Sequence, residues 1–146
     1  MQLSQDNVGL YHVLDMAVCG DLFSLLVKQS HLQGNTAICQ FYSANVVIAI
    51  LWLHSKGYLY RDLKPENLLV LGNGYLVLTD FGFAKRLGPG ERAYTVCGTP
   101  DYMCPEVLQN QGCSFAGDLW CIGVFLFEII AGRAPFTGES TVALYL

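Results

Sequence analysis

The stretch Y-R-D-L-K-P-E-N at residues 60–67, then L-L-V-L at 68–71, G-N-G at 72–74, Y-L-V-L-T at 75–79 and D-F-G at 80–82, decides how this chain is read. Two short β-prone runs flank an Asn-Gly pair. That is the strongest short hairpin signal, because a type I′ turn needs positive φ at both central positions. The expected hairpin carries an acidic cluster at each end, with Asp62 and Asn67 before it and Asp80 after it. Because the strands are short, Asn67 and Asp80 should face one opening.

Upstream of this hairpin, Leu10 to Ala17 reads as a short strand. Gly20-Asp21 opens the apolar segment L-F-S-L-L-V, which fits a short helix with Asp21 in its first turn. After the Gly34-Asn35-Thr36 break, Ile38, Phe41, Tyr42, Val46, Ile50 and Leu53 recur at helical steps. A long, largely buried helix is expected, ending near Lys56-Gly57. Downstream, residues 82–105 lose periodicity and read as an extended loop, a kind of segment that is functional or disordered when long. Asp118 to Ala131 reads as a helix apolar nearly all round, inside a helical domain. Thr137 to Leu146 begins another helix.

The 146 residues suit one domain. Charged residues make up only 14% and hydrophobic ones 53%, which looks like a slice through a larger core. Eleven of the twenty charged residues lie between Arg61 and Glu106, so polar chemistry is concentrated mid-chain. The apolar run Leu119 to Ala131 is too short to span a bilayer, which takes about 20 residues, so no membrane span is expected. The N-terminus has neither a secretory signal nor a transit pattern, and cytoplasm, or else nucleus, is the expected location. Six scattered cysteines without a C-x-x-C pair read as reduced thiols. A net charge of −4 without a Lys/Arg run argues against nucleic-acid binding.

Taken together, Y-R-D-L-K-P-E-N and the later D-F-G resemble the protein-kinase signature H-R-D-L-x-x-x-N followed by D-F-G. T-V-C-G-T-P-D-Y-M-C-P-E at 95–106 resembles the end of a kinase activation segment, usually G-T-P-E-Y-x-A-P-E, with Asp101 for Glu and Cys104 for Ala. The resemblance implies an α+β, protein-kinase-like fold, mostly the helical large lobe with a small β-hairpin and a hinge strand. It implies ATP and Mg²⁺ as cofactors, with Asn67 and Asp80 as metal ligands. Asp62 would accept the proton of the substrate hydroxyl, and Lys64 would place a cation beside the moving phosphoryl group. Phosphoryl transfer spreads negative charge over oxygens, so positioning and electrostatic stabilisation carry the catalysis. In the activation segment Thr95 matches the phosphorylation site, with Arg61 and Lys85 as its basic partners. Thr99 would tie the segment to Asp62 and Lys64, favouring Ser/Thr substrates. Asp118 would hold the backbone of the catalytic loop.

Tyr60 in place of the usual His, Phe83-Ala84-Lys85 after D-F-G, and C-G-T-P look like the AGC group, closest to the cyclic AMP- and cyclic GMP-dependent kinases. The resemblance implies protein substrates with basic residues before Ser or Thr, read by Asp21, Glu66 and Glu128, and a regulatory domain or subunit as a further partner. On the nucleotide side it implies Asp15 and Ala17 backbones at the adenine, Leu14 as gatekeeper, Asp21 at the ribose, Leu69 beneath the ring, and Glu66 and Thr79, the latter before D-F-G, at the same pocket. Residues 1–17 would be the last small-lobe strand and hinge, and 18–146 an incomplete large lobe. Residues 1–9 hold no G-x-G-x-x-G and no V-A-I-K lysine. The expectation is therefore that phosphotransfer belongs to a longer chain; the alternatives are a pseudokinase-like scaffold module or an inactive fragment. The Arg that pairs with Glu106 in the family is likewise not found.

Overall fold

The computed structural model describes residues 2–14 and 16–138. Strands β1 (Gln2–Gln5) and β2 (Leu10–Val13) form an antiparallel hairpin in which Leu3 faces His12. Asp6 shapes its turn by accepting from the Val8 and Gly9 N–H groups at 2.7 and 2.9 Å. The strand expected over 10–17 is thus shorter, and its partner β1 was not anticipated. All four residues of β2 are exposed.

Helix α1 (Leu22–Lys28) begins with Asp21 as its N-cap, one position before the expected first turn, and a 3₁₀ turn follows at Ser30–Leu32. Helix α2 (Thr36–Ser55) is capped by the Asn35 side chain on the Ile38 N–H and ends at Lys56, where Gly57 takes φ of 78°. Strand β3 (Tyr58–Leu59) then pairs with β6 (Lys85–Arg86), inside the region expected to be loop. Between them, a 3₁₀ turn at Pro65–Asn67 leads into β4 (Leu68–Val70), which pairs with β5 (Leu76–Leu78), Leu69 opposite Val77. The hairpin is as read, but its turn is not type I′. Only Gly74 has positive φ, and its N–H closes the turn on the Leu71 carbonyl at 2.9 Å. One glycine in the left-handed region, after a tighter turn, does the work assigned to two residues.

After a 3₁₀ turn at Pro100–Tyr102 come α3 (Pro105–Leu108) and α4 (Phe115–Ala131), the latter capped by Ser114 and closed by Gly132 at φ of 70°. Helix α4 therefore starts three residues before the expected Asp118. Helices α2 and α4 pack on each other through Tyr42, Val46, Ile50, Val124, Phe125 and Ile129 to make the main core. A second cluster of Leu59, Leu87, Ala93, Cys104 and Cys113 lies beneath β3 and α3.

Helix α2, expected to be largely buried, and α4, expected in the interior because it is apolar nearly all round, each bury one face and expose another. Ile48 and Trp52 on α2 are 69% and 61% exposed, and Leu119 and Ile130 on α4 are 53% and 52% exposed. Helix α2, not the 119–131 run, is long and apolar enough to cross a membrane by length and composition. Here its Cys39-to-Leu53 stripe is the buried face against α4. The helix expected over 137–146 falls, from residue 139 onward, outside the described residues.

Candidate active site

The loop between β3 and β4 is hung on Asp118 in the first turn of α4. This carboxylate is fully buried. Its Oδ2 accepts the Tyr60 N–H at 2.9 Å and lies 2.7 Å from His54 Nε2 at the end of α2, while Oδ1 accepts the Arg61 N–H at 2.9 Å. Three donors offset the cost of removing the charge from water. They also clamp Arg61, whose φ of 72° is uncommon for a side chain of that size. Tyr60 is fully buried, donates its hydroxyl to the Thr79 carbonyl, and meets the Phe81 ring edge-on at 5.6 Å. Burial, then the Asp62 and Asp80 charges, push its phenol above the ordinary range.

With Tyr60 and Arg61 fixed, Asp62 is delivered to a prepared place, 4% exposed. Its Oδ1 accepts the Thr99 hydroxyl at 3.0 Å and its Oδ2 accepts the Asn67 amide at 2.8 Å. The same Asn67 nitrogen bonds the Asp62 carbonyl at 2.8 Å. Lys64 Nζ stands 3.4 Å from Asp62 Oδ2 and donates to Thr99 Oγ1 at 2.9 Å. Thr99 therefore joins the Asp62 carboxylate and the Lys64 cation. Gly98 makes this approach possible, since at φ of 104° a Cβ would sit 2.6 Å from the Arg61 carbonyl oxygen.

Asn67 and Asp80 are held one residue apart across the hairpin, because Thr79 donates both its N–H (2.9 Å) and its hydroxyl (3.0 Å) to the Asn67 carbonyl. Asp80, at φ of 51°, accepts the Gly82 N–H at 3.1 Å and is otherwise exposed. No ion pair among the described residues includes it. Asn67 spends its side-chain nitrogen on Asp62, so no hydrogen bond among the described residues engages its side-chain oxygen. One carboxylate and one amide oxygen fit Mg²⁺, which takes one or two protein oxygens and completes its shell with water and phosphate. A cluster of three His, Cys, Asp or Glu residues, as an all-protein cage would need, does not occur among the described residues.

Beside this group, Asp21 and Leu69 meet in a β-bridge, and Val70 N–H bonds the Gly20 carbonyl at 2.8 Å. Both Asp21 oxygens are engaged by Ser24, and the Ser24 N–H bond chiefly holds the carboxyl below its usual range. Leu14 is exposed; Ala17 accepts the Gly20 N–H at 3.4 Å; Asp15 lies outside the described residues. Glu128, half-buried, accepts the Tyr102 hydroxyl. Burial, then the charges of Glu66 and Asp101, raise its carboxyl above the ordinary value. The charges of Glu66 and Asp101 thus act on Glu128, whereas Asp21 is bridged to Leu69.

Thr95 is exposed. Arg61 donates Nε to the Phe83 carbonyl at 2.7 Å, and its Nη1 is buried without a partner. Lys85 pairs with Glu91 at 3.6 Å, and Glu106 has no ion pair among the described residues. His54, Tyr102 and Asp101 are the site's additions to the residues picked out by sequence. His54 and Tyr102 contact partners 64 and 26 positions away, which no local spacing reveals.

Residues 1–145 match the family model of the protein kinase domain. The chain is 42% identical over 144 residues to the cAMP-dependent protein kinase catalytic subunit of Dictyostelium discoideum, covering 99% of this chain and 22% of the relative. It is 43% identical to the cGMP-dependent protein kinase, isozyme 2 forms cD5/T2, of Drosophila melanogaster (97% and 15% covered). It is 44% identical to the putative serine/threonine-protein kinase PRKY of Homo sapiens (93% and 48% covered). The chain thus spans less than half the length of each of these relatives.

Proposed function

The chain belongs to the protein kinase family, and on that premise we propose that it transfers the γ-phosphoryl group of ATP to Ser or Thr hydroxyls of proteins as part of a longer kinase. The observation that carries this reading is the arrangement around Asp62: a buried carboxylate fixed by Thr99 and Asn67, beside Lys64 and two hard oxygen donors. Asp62 accepts the proton of the incoming hydroxyl, and the bonds from Thr99 and Asn67 keep its lone pairs aimed at it. Lys64 stands beside the moving phosphoryl group as a fixed positive charge. Mg²⁺, held by Asn67 and Asp80, neutralises phosphate charge when bound. Leu69 lies under the adenine, with Leu14, Asp15, Ala17, Asp21 and Thr79 around the nucleotide. In this reading 1–17 are hinge and small-lobe strand, and 18–146 belong to the large lobe.

Glu66, Glu128 and Asp21 favour substrates with basic residues before the target. Phosphate on Thr95 gives the orphan Nη1 of Arg61 an acceptor, adding about −1.5 to −2 charge where a cation waits. A regulatory domain or subunit is the remaining partner of this reading. The test uses the protein expressed from the full reading frame that contains these residues. With ATP and Mg²⁺ it is offered a Ser peptide preceded by Arg residues, the same peptide with Ala for Arg, and one with Tyr for Ser. The expected order is strong, weak and absent transfer. Nucleotide binding without transfer to any peptide would instead favour a scaffold module.

A further inference from the structure

Cys104 and Cys113 stand side by side in the second core cluster, behind the first turn of α4 that carries Asp118. Their sulfurs are 4.0 Å apart, and the residues are 3% and 5% exposed. No other thiol pair among the described residues makes such a contact. Cys104 occupies the position where the activation-segment pattern has Ala. The space for both sulfurs comes from Gly117 in α4, where a Cβ would lie 2.2 Å from Cys113 Sγ and 3.2 Å from Cys104 Sγ. Cys113 also exchanges two backbone hydrogen bonds with Ala93, both 2.8 Å. The segment 93–104, with Thr95 and Thr99, thus starts at a residue bonded to Cys113 and ends at Cys104.

We propose that Cys104 and Cys113 form a reversible disulfide on exposure to peroxide, clasping the two ends of the segment that carries Thr95 and Thr99. The Cys104 thiolate attacks one peroxide oxygen, the O–O bond breaks, and a sulfenic acid forms. The released hydroxide takes up the thiol proton as water. The Cys113 sulfur then displaces the sulfenic hydroxyl, the S–S bond forms, and the Cys113 proton leaves with that hydroxyl as a second water. Each sulfur gives up one electron and the peroxide takes both. The contact with Cys113 lowers the Cys104 thiol from its ordinary value, and the same contact with burial raises Cys113, whose thiol also donates to the Ser114 carbonyl at 3.4 Å; Cys104 is accordingly assigned the first attack. The sulfurs must close from 4.0 Å to about 2.0 Å. Cys104 heads a four-residue helix without a side-chain cap, an element whose local opening admits a reagent the size of water.

The test treats the full chain with hydrogen peroxide, blocks free thiols in denaturant, and cleaves after Glu106, which separates Cys104 from Cys113. Wild type should yield the flanking peptides joined, and separate after dithiothreitol. They should stay separate in Cys104→Ala, which installs the residue of the family pattern, and in Cys113→Ser. Amide exchange over 93–104 should be slower in the oxidised chain. Joined peptides in Cys104→Ala would overturn the proposal, as would sulfinic acid on Cys104 without a crosslink. Full blocking of both thiols after a dose that oxidises the exposed Cys19 would do the same. Unchanged exchange across 93–104 would overturn the clasp.

Discussion

Asp118→Asn isolates the strut on which the catalytic loop hangs, because it keeps volume and removes only an acceptor. The native carboxylate takes Arg61 N–H on Oδ1, and Tyr60 N–H plus His54 on Oδ2. An Asn amide has one oxygen. Its cheapest orientation places that oxygen at the Oδ2 position, keeping Tyr60 and His54, and turns its NH₂ against the Arg61 N–H. The loss is one charge-assisted bond plus an unsatisfied buried donor, about 3 kcal/mol. At about 2–4 °C per kcal/mol for a chain of this size, the melting temperature should fall by about 6–12 °C. The damage should centre on Arg61, whose positive φ has no other clamp on its N–H. Thermal melts and amide exchange measure both quantities. A drop under about 2 °C with Arg61 protection unchanged would refute the assignment of Asp118 as the strut.

Thr99→Val removes the hydroxyl shared by Asp62 and Lys64 at little change in volume. Transfer should slow about tenfold or more with stability changed by about 1 kcal/mol, since one part-buried hydrogen-bond pair is lost; an unchanged kcat contradicts this. Gly98→Ala should be far more damaging than a surface change, because its Cβ meets the Arg61 carbonyl at 2.6 Å; wild-type melting would count against the stated packing. Glu128 must be ionised to hold a substrate cation, and burial with its acidic neighbours raises its carboxyl. KM for a basic peptide should therefore rise as pH falls through that raised value, and be high and flat in Glu128→Gln. In the folded chain this carboxyl keeps its proton at pH values where the unfolded chain has lost it. Its contribution to stability therefore falls as pH rises, and Glu128→Gln should melt no lower than wild type at neutral pH. A lower melting point for the variant there contradicts this.

The parts of the fold written in local chemistry were legible. The break at Gly34-Asn35-Thr36, Gly57 past a helix end and the glycine-bearing hairpin need only neighbours within four residues. Asp62, Asn67 and Asp80 could be singled out because they stand in two contiguous motifs, Y-R-D-L-K-P-E-N and D-F-G. Strand β1 was not legible, since Q-L-S-Q offers neither alternation nor β-branched residues and is a strand only because β2 pairs with it. The turn at Gly74 defeated the dipeptide rule because Asn73 keeps negative φ. The faces of α2 and α4 were overcalled as buried, since composition reports that a helix is apolar but not which side has a neighbour. The His54–Asp118 pair joins positions 64 residues apart and the Cys104–Cys113 contact positions nine apart, both through packing that no spacing announces.

The central claim is that Asp62 is the positioned base of a phosphoryl-transfer site. Its most direct measurement is the single-turnover rate of γ-phosphate transfer to a basic Ser peptide, wild type against Asp62→Asn, in the full reading frame with Mg²⁺. Asn keeps the shape of Asp62 but cannot take a proton, and its one amide oxygen can accept from only one of Thr99 and Asn67. The account predicts unchanged nucleotide affinity and a rate lower by about 10²–10⁴-fold. A variant that transfers phosphate at the wild-type rate would contradict it.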